Sequence, residues 1–468
     1  MNFLDPLTFF KIKKQQSLSL FCFFYILFFS IAIFIILCKV TNPYLILYIL
    51  MGVLVIYFLI KYSEVTLALF LVVGKFKTDP RLSFLKPLDL TLVLAFLIII
   101  SIIVGLILKK KKPHFPKVFM LYLPFILMII ISLSYTPNLD IGLDKAFRFF
   151  ILTGLAIIAP FWLLLSEKKL KRFFLTLLIA GFLASVNSLN MLGGYNRFVS
   201  PGGLSIQLGY DAAVAIIVLW YLLLADLSFF KRIPWYTLFP ILFIGLIGSG
   251  ARRSVVAVFL CSVVGLILYK RMILDLFILS SLGILTLLVI DIPIASLNYL
   301  GTLLKYNLTD TFSSRTPLMQ IGLDIVSKYP IFGVGIGGYS YFSPNPSLYN
   351  YPHNLILEIW SEIGIIAAIS IFCLLIASFW EAINNILDKE LRYKKLMILI
   401  LALLIIGFVE SSVSGDINDL KPMWLYISLP FVLMSINNID ILNNSHENKK
   451  KCKPESSFTF YRNRFINI

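Results

Sequence analysis

Long apolar segments alternate with short polar ones along most of the chain. Apolar runs of about 16 to 22 residues recur between Leu18 and Asn437, and a helix of that length crosses a lipid bilayer. The runs are continuous in Leu, Ile and Phe, without the two-residue alternation of a barrel strand. The pattern therefore predicts an all-α polytopic membrane protein with about 12 to 14 transmembrane helices.

Two predicted spans are unusual. Residues 63–75 form a short apolar run, which is either a short span or a re-entrant or interfacial helix. Because the two alternatives differ by one span, the predicted number of transmembrane helices is a range. Residues 354–378 are predicted as one continuous span. It begins within the polar stretch YPHNLILEIWSEIG and continues into IIAAISIFCLLIASFW.

Only one connection between predicted spans is long. It covers residues 292–352 and separates an N-terminal transmembrane bundle, 1–291, from C-terminal transmembrane helices, 353–437; a polar, basic tail, 438–468, follows. The connection is predicted to contain a helix, SSRTPLMQIGLDIVSKY, a glycine-rich turn, GVGIGGY, and the polar segment SPNPSLYNYPH. Because loops of this length are more often functional than idle, we expect it to carry part of a site.

Composition and charge agree with a membrane location. The chain is 59% hydrophobic and 14% charged, with a formal net charge of +17. Its basic clusters, among them KIKK, KKKK, EKKLKR and KKKCK, flank the predicted spans, as the positive-inside rule requires of cytoplasmic segments. We therefore expect the excess charge to face membrane lipid rather than nucleic acid, and the 292–352 loop to lie outside. The five cysteines have no paired spacing, so neither a disulfide framework nor a metal site is predicted.

Four arginines fall on the predicted outer side, against the general charge bias. Arg197 lies in GGYNRFVSPGG, Arg252 and Arg253 in GSGARRS, and Arg315 at the start of the loop helix. The planar guanidinium matches phosphate oxygens in pairs, so these residues are candidates for binding a diphosphate. The alternative is that each one reaches a lipid headgroup from the end of a span.

A histidine and a polar stripe occupy the mouth of the span at 354–378. His353 follows Pro352 and is predicted in the first helical turn, where the helix dipole keeps the imidazole neutral and able to accept a proton. Asn354, Glu358 and Glu362 are spaced by four and share one helix face. The alternative is that His353 only caps the loop and that the glutamates bind neighbouring helices.

These segments together resemble the O-antigen ligase and O-antigen polymerase superfamily. The likeness covers most of the chain in topology and is specific from about Arg197 to Gly364. GSGARRSVVAV resembles the family's arginine-containing turn, and NRFVSPGG its upstream outer loop; because two arginines follow one another, either Arg252 or Arg253 is the matched residue, with Arg252 preferred. The other matching residues are Arg315, Tyr329, Pro330, Gly333, Gly335, Gly337, His353, Asn354, Leu357, Glu362 and Gly364.

The resemblance implies a C-type (GT-C) membrane glycosyltransferase of the bacterial inner membrane, with a mostly helical periplasmic loop above a membrane-embedded cavity. Such enzymes transfer a glycan, by an inverting reaction without metal or cofactor, from undecaprenyl diphosphate to an acceptor hydroxyl. The implied base is His353, and the implied diphosphate ligands are Arg197, Arg252 or Arg253, and Arg315.

Three functions stay open at this point. A ligase would transfer the glycan to lipid A–core and is preferred. A surface-polysaccharide polymerase would transfer it to another lipid-linked repeat unit. A flippase of lipid-linked glycan is the more distant alternative, since it would place charges in mid-span and need access from both faces.

Overall fold

The computed structural model describes residues 43–76, 89–108, 115–192, 196–200, 203–224, 229–268, 272–290, 292, 296, 298, 316–343, 351–388, 392–413 and 415–451. Within these ranges every regular element is helical and no strand occurs, which confirms the all-α prediction. The first predicted span, near residues 18–38, and Arg315 lie outside the described residues.

The chain divides into two compact units, Met1–Tyr62 and Ser63–Ile468. The described part of the first unit is one helix, α1 (Pro43–Lys61). The second unit contains the remaining helices. In chain order these are α2 (Ser63–Val72), α3 (Leu90–Ile107), α4 (Tyr122–Ser132), α5 (Leu139–Leu163, with a π-helical turn at Phe149–Thr153), α6 (Glu167–Ser188), α7 (Ser205–Leu224), α8 (Phe229–Tyr236), α9 (Phe239–Gly248), α10 (Arg252–Leu268), α11 (Met272–Val289), α12 (Thr316–Lys328), α13 (Leu355–Ile363), α14 (Ile365–Leu387), α15 (Lys394–Val413) and α16 (Lys421–Lys451).

Several of these helices are long and apolar enough to cross a membrane. Among the described residues six pass on length and composition, and the shorter apolar segments Lys117–Ser132 and Ile273–Val289 add to them. A polytopic membrane protein is thereby confirmed, while the total of about 12 to 14 spans stays a prediction. The six are Leu90–Ile107, Leu139–Leu163, Glu167–Met191, Ser205–Leu222, Ile365–Leu387 and Lys394–Val413.

Helix α7 lies at the centre of the second unit, with most of its side chains buried against α6, α9, α10 and α15. Small residues allow this close packing, as is usual between membrane helices. A Cβ atom added at Gly181 of α6 would lie 2.5 Å from the carbonyl oxygen of Asp211 and 2.7 Å from the Cβ of Ala215. The backbone of α6 therefore touches that of α7 directly.

The predicted continuous span at 354–378 is wrong, because the helix breaks at Gly364. Gly364 has φ of +100°, and its N–H donates to the carbonyls of Ile359 and Trp360, which ends α13. The next N–H, that of Ile365, donates to the carbonyls of Pro330 and Ile331. The polar helix α13 and the apolar helix α14 are thus separate elements.

The glycine-rich turn after α12 completes this break. The N–H groups of Val334 and Gly335 donate to the carbonyls of Ser361 and Glu362, at 2.9 and 2.8 Å. These carbonyls at the end of α13 would otherwise have no helical partner. The predicted helix and turn are both present, and Gly333, Gly335 and Gly337 all have positive φ, as a tight non-helical turn requires.

The short predicted span at 63–75 is a ten-residue helix, α2, followed by one 3-10 turn. Its first-turn carboxylate, Glu64, is 1% exposed and lies 3.0 Å from Nε of Arg172 in α6. The helix is therefore packed inside the protein by both apolar and ionic contacts.

Candidate functional site

A cavity of about 580 Å³ opens between several helix ends in the second unit. Its wall combines parts of the chain that are far apart in sequence: the end of α2, Arg197, the start of α7 with the two residues before it, the start of α10, Tyr351, the end of α15 and the turn into α16. The charged residues of the wall are Arg197, Arg253, Glu410, Asp419 and Lys421.

Arg253 is held on the cavity wall by a carboxylate. Its Nε lies 2.6 Å from Oε2 of Glu410, and the hydroxyl of Ser254 donates to Oε1 of the same carboxylate at 3.0 Å. The side chains of Arg253 and Glu410 are 16% and 7% exposed, so water screens this pair only weakly. Nη1 of Arg253 is buried and has no hydrogen-bond partner among the described residues. That end of the guanidinium is therefore available to an anion in the cavity.

The turn before α10 places Arg253 there. Gly250 has φ of +64°, and the hydroxyl of Ser249 accepts from the N–H of Ala251 at 3.1 Å, so the chain reverses within three residues. Arg252 is half-buried and is not part of the cavity wall. The structure thus brings Arg253, rather than the preferred Arg252, together with Arg197.

Arg197 reaches the cavity from the loop after α6. The N–H of the following residue, Phe198, donates to the carbonyl of Gly248 at 2.8 Å. The ring of Phe198 is fully buried and occupies the space that a side chain at position 248 would need. The loop is therefore fixed to the end of α9, and Arg197 is placed close to the turn that carries Arg253.

His353 does not lie in the first helical turn, and this prediction is corrected. Helix α13 begins at Leu355 with Asn354 as its N-cap: the Asn354 side chain accepts from the N–H of Leu357 at 3.0 Å and donates to the carbonyl of Ser412 at 3.1 Å. Asparagine is among the best N-cap residues, so the helix starts there rather than after the proline.

The backbone of His353 is left-handed, with φ of +59°, and it is the one non-glycine residue in the described chain with positive φ. Such a conformation is uncommon for a residue with a Cβ, and residues strained in this way cluster at functional sites. The half-buried ring lies against Tyr351, with the ring centroids 4.4 Å apart, and Tyr351 lines the cavity. His353 is therefore one side chain removed from the cavity wall.

The two glutamates of the polar stripe share a lysine that the sequence interpretation missed. Nζ of Lys145 in α5 lies 2.6 Å from Oε1 of Glu358 and 2.8 Å from Oε2 of Glu362. Both glutamates are 1% exposed. Burial raises the pKa of Glu358 and the Lys145 ammonium lowers it, with burial the larger effect. A lysine at the start of an apolar run resembles an ordinary span-flanking charge, so only the i, i+4 glutamate pair hinted at a buried cation.

Three charged residues of the cavity wall were also missed: Glu410, described above, and Asp419 and Lys421. Asp419 is exposed towards the cavity, but the surrounding protein and the carboxylate of Asp416 raise its pKa to about 6. Lys421 opens α16, and its ammonium lies 5.2 Å from the centre of the Phe70 ring. Both residues follow a predicted span, where charged side chains are common, so their position in the sequence indicated no site.

Of the predicted site residues, Arg315 lies outside the described part of the chain. Within the ranges that are described, no group of three or more His, Cys, Asp or Glu side chains is arranged to hold a metal ion. What the cavity offers chemically is a set of cations beside a histidine, an arrangement suited to an anionic substrate.

Comparison with known proteins agrees with the sequence signature. No curated protein matches the chain significantly. The family model described as O-antigen ligase matches residues 237–372, a segment that includes Arg253, the glycine-rich turn, His353 and Glu362. This match supports the placement of the chain in the O-antigen ligase and polymerase superfamily.

Proposed function

We propose that the chain is a membrane glycosyltransferase that moves a glycan from undecaprenyl diphosphate to an acceptor hydroxyl. The observation that carries this proposal is the meeting of two arginines, Arg197 from the loop after α6 and Arg253 from the first turn of α10, in one cavity beside Tyr351 and His353. Two guanidinium groups can each bind a phosphate through paired hydrogen bonds, which suits a diphosphate better than a single phosphate.

In the proposed reaction the acceptor oxygen attacks the anomeric carbon from the face opposite the diphosphate. His353 accepts the hydroxyl proton as the new C–O bond forms, which typically accelerates such a step about 10²–10⁴-fold. The bond from the anomeric carbon to the diphosphate oxygen breaks, and undecaprenyl diphosphate leaves with the electron pair. Arg197 and Arg253 stabilise the growing negative charge, the kind of effect that is usually the largest in enzyme catalysis.

The proposed roles of the other predicted residues follow from their places. Arg252 and Arg315 stay proposed as additional diphosphate ligands, although Arg252 lies off the cavity wall. Asn354, Glu358 and Glu362 are proposed supports: Asn354 caps the helix next to His353, and the glutamates fix that helix to α5.

The proposed location is the bacterial inner membrane, with the cavity open to the periplasm. We propose a ligase that uses lipid A–core as acceptor, with a polymerase of lipid-linked repeat units as the alternative. Loss of the protein from its host distinguishes the two. Without a ligase, polymerised glycan accumulates on the lipid carrier; without a polymerase, a single repeat unit reaches the final acceptor.

The base role of His353 is tested by substitutions that keep its backbone conformation. Glycine and asparagine both accept positive φ, so His353→Gly and His353→Asn should fold at least as well as the natural protein. Neither can take a proton near pH 7, so we expect both to lose transfer by about 10²-fold or more. The measurement is turnover of lipid-linked glycan, extracted from host membranes that lack the protein, by purified protein in detergent.

His353→Ala is the matched comparison, because it removes the same imidazole but keeps a Cβ in the left-handed conformation. It should lose transfer to the same extent as the other two variants while unfolding at a lower temperature than His353→Gly. Near-normal transfer by His353→Asn would contradict the base role. Absence of turnover in the natural protein, together with ATP-independent movement of the lipid-linked glycan across vesicles, would favour a flippase.

A further inference from the structure

A single ammonium neutralises two buried carboxylates next to the candidate site. Lys145 donates to Glu358 and Glu362, and all three side chains are at least nine-tenths buried. Isolated charges at such depth are very unfavourable, so removing the ammonium alone leaves two carboxylates that must either acquire protons or move towards water. The group therefore acts as one unit.

Each carboxylate also accepts hydrogen bonds from a segment without regular structure. Glu362 accepts from the N–H of Gly337 at 3.0 Å and from that of Tyr339 at 3.4 Å, both in or next to the glycine-rich turn. Glu358 accepts from the N–H of Ile417 at 3.1 Å, in the turn between α15 and α16. Turns have no helical hydrogen bonds of their own, so these carboxylates, together with the backbone bonds described above, help to fix them.

The turn between α15 and α16 is tied to Lys145 a second time. The amide of Asn418 donates to the backbone carbonyl of Lys145 at 3.1 Å, and its oxygen accepts from the hydroxyl of Thr153 at 3.3 Å. The same turn contributes Gly415, Asp419 and Leu420 to the wall of the cavity, and Lys421 follows at the start of α16. The turn that forms one side of the cavity is therefore held by the backbone carbonyl of Lys145 directly and by its side chain through Glu358.

The helix that carries the two glutamates also adjoins His353. Glu358 and Glu362 belong to α13, whose N-cap, Asn354, directly follows His353. Tyr351, two residues earlier, lines the cavity. The position of α13 relative to α5 thus sets where Tyr351 and His353 lie relative to Asp419 and the other wall residues.

We propose that Lys145 is a positioning residue of the transfer reaction, holding the segment of His353 and the turn between α15 and α16 in register across the cavity. This inference rests on the proposed function. Lys145 touches neither the cavity nor the reacting atoms, and it acts through Glu358 and Glu362.

The charge balance of the group leads to a specific expectation for Lys145→Met. The methionine fills much of the same space but leaves the two carboxylates without their cation. The other titratable groups that interact with the two carboxylates are Asp416 and Tyr339, neither of which is a cation at neutral pH. Two further cations of this region, Arg148 and Lys421, act on Asp419. Only protons can then neutralise the pair, and a protonated carboxyl still accepts the N–H bonds of Gly337 and Ile417 through its carbonyl oxygen.

Transfer by Lys145→Met should therefore depend on pH in a way that the natural protein does not. At pH 8 we expect kcat to fall by about 100-fold, the size of effect produced by a misplacement of about 1 Å, with a smaller change in donor KM. At pH 5.5 a substantial part of the loss should be recovered, relative to the natural protein at the same pH. The donor and acceptor are the lipid-linked glycan extract described above.

A triple variant that removes all three charges of the group tests the same mechanism independently. In Lys145→Met/Glu358→Gln/Glu362→Gln each glutamine oxygen can still accept from the turns, and no buried charge remains. This triple variant should regain kcat at pH 8 and lose the recovery at low pH. Lys171→Met, which breaks an exposed ion pair with Glu167 elsewhere on the protein, is the control and should behave like the natural protein.

The outcomes separate the two proposals. Each variant is first shown to be folded by size-exclusion chromatography and thermal unfolding in detergent. If the natural protein turns over the extract and folded Lys145→Met has the same kcat and pH profile, the positioning role is overturned while the proposed function stands. If Lys145→Met loses activity equally at pH 5.5 and pH 8, the charge mechanism is overturned. If the natural protein shows no turnover, the proposed function itself fails.

Discussion

The residues at the site act through their surroundings as much as through their own chemistry. His353 is held in a strained conformation by an N-cap on one side and by Tyr351 on the other. Arg253 is oriented by Glu410, whose carboxylate forms an ion pair with Nε of the guanidinium. In both cases neighbouring side chains help to set the position of the functional group.

The two adjacent arginines provide an internal comparison. Arg253 lines the cavity and Arg252 does not. We expect Arg253→Lys to raise donor KM and lower kcat, because lysine cannot reproduce a paired phosphate contact while bound to Glu410. Arg252→Lys, made one residue away on the same helix, should have a smaller effect on both parameters, because Arg252 lies off the cavity wall. Steady-state kinetics on the lipid-linked extract measures both; a larger effect at Arg252 would reassign the matched arginine.

Asp419 should make donor binding depend on pH. Its pKa is raised to about 6, so it gains a proton as the pH falls from 7.5 to 5.5 and the cavity loses a negative charge. Donor KM should decrease over this interval, and Asp419→Asn should show the lower KM at both pH values. Because the folded pKa exceeds the usual value of about 3.9, protonation favours the folded state, and the contribution of Asp419 to stability falls as pH rises between about 4 and 6. A KM for Asp419→Asn that retains the natural pH dependence would exclude this role.

At the scale of elements, the break at Gly364 separates the polar helix next to the candidate site from the apolar helix that spans the membrane. Helix α13 carries the buried glutamates, whereas α14 carries the apolar span. The break allows α13 to turn its polar face towards α5 and the glycine-rich turn without exposing glutamates to lipid, where they would be costly.

Gly364→Ala tests this arrangement. The backbone at φ of +100° is unfavourable for alanine by about 1–3 kcal/mol, and the added Cβ would also collide with the carbonyl of Ile331. We expect a clear decrease in the thermal unfolding temperature and loss of transfer. Gly105→Ala in α3, where a Cβ meets nothing within 4 Å, is the matched control and should keep or raise the unfolding temperature. Equal behaviour of the two variants would argue against a required break.

At the scale of the whole molecule, the site exists only because distant parts of the chain converge. The cavity wall combines the loop after α6, the first turn of α10, Tyr351 and the turn before α16. For these segments to share one cavity they must lie on the same side of the membrane, as the charge distribution predicts for the outer face.

Cysteine labelling tests this topology. In a chain with all five natural cysteines replaced, Ser327→Cys on the exposed face of α12 should react with a membrane-impermeant maleimide in intact cells. Lys168→Cys, exposed at the opposite end of α6 from the Arg197 loop, should react only after the inner membrane is opened. Labelling of both positions from outside would overturn the predicted orientation.

The sequence alone determined the class of protein and the identity of several candidate residues. Apolar runs long enough to span a bilayer require helices, because only a helix satisfies its backbone hydrogen bonds within one segment. The glycines after α12 likewise predicted a turn, and the four-residue spacing of Glu358 and Glu362 predicted one shared face. These features are local, so local rules sufficed to predict them.

Only the tertiary structure decided where the polar helix ends, which arginine meets the cavity and which cation lies under the glutamates. Gly364 interrupts an apolar pattern that would otherwise continue as one helix, because N–H groups of the turn at 333–335 donate to the last carbonyls of α13. Lys145 lies more than two hundred positions before Glu358 and Glu362 in the chain. Pairings over such separations depend on how the helices pack, and the energy of a buried charge depends on neighbours that sequence periodicity cannot assign.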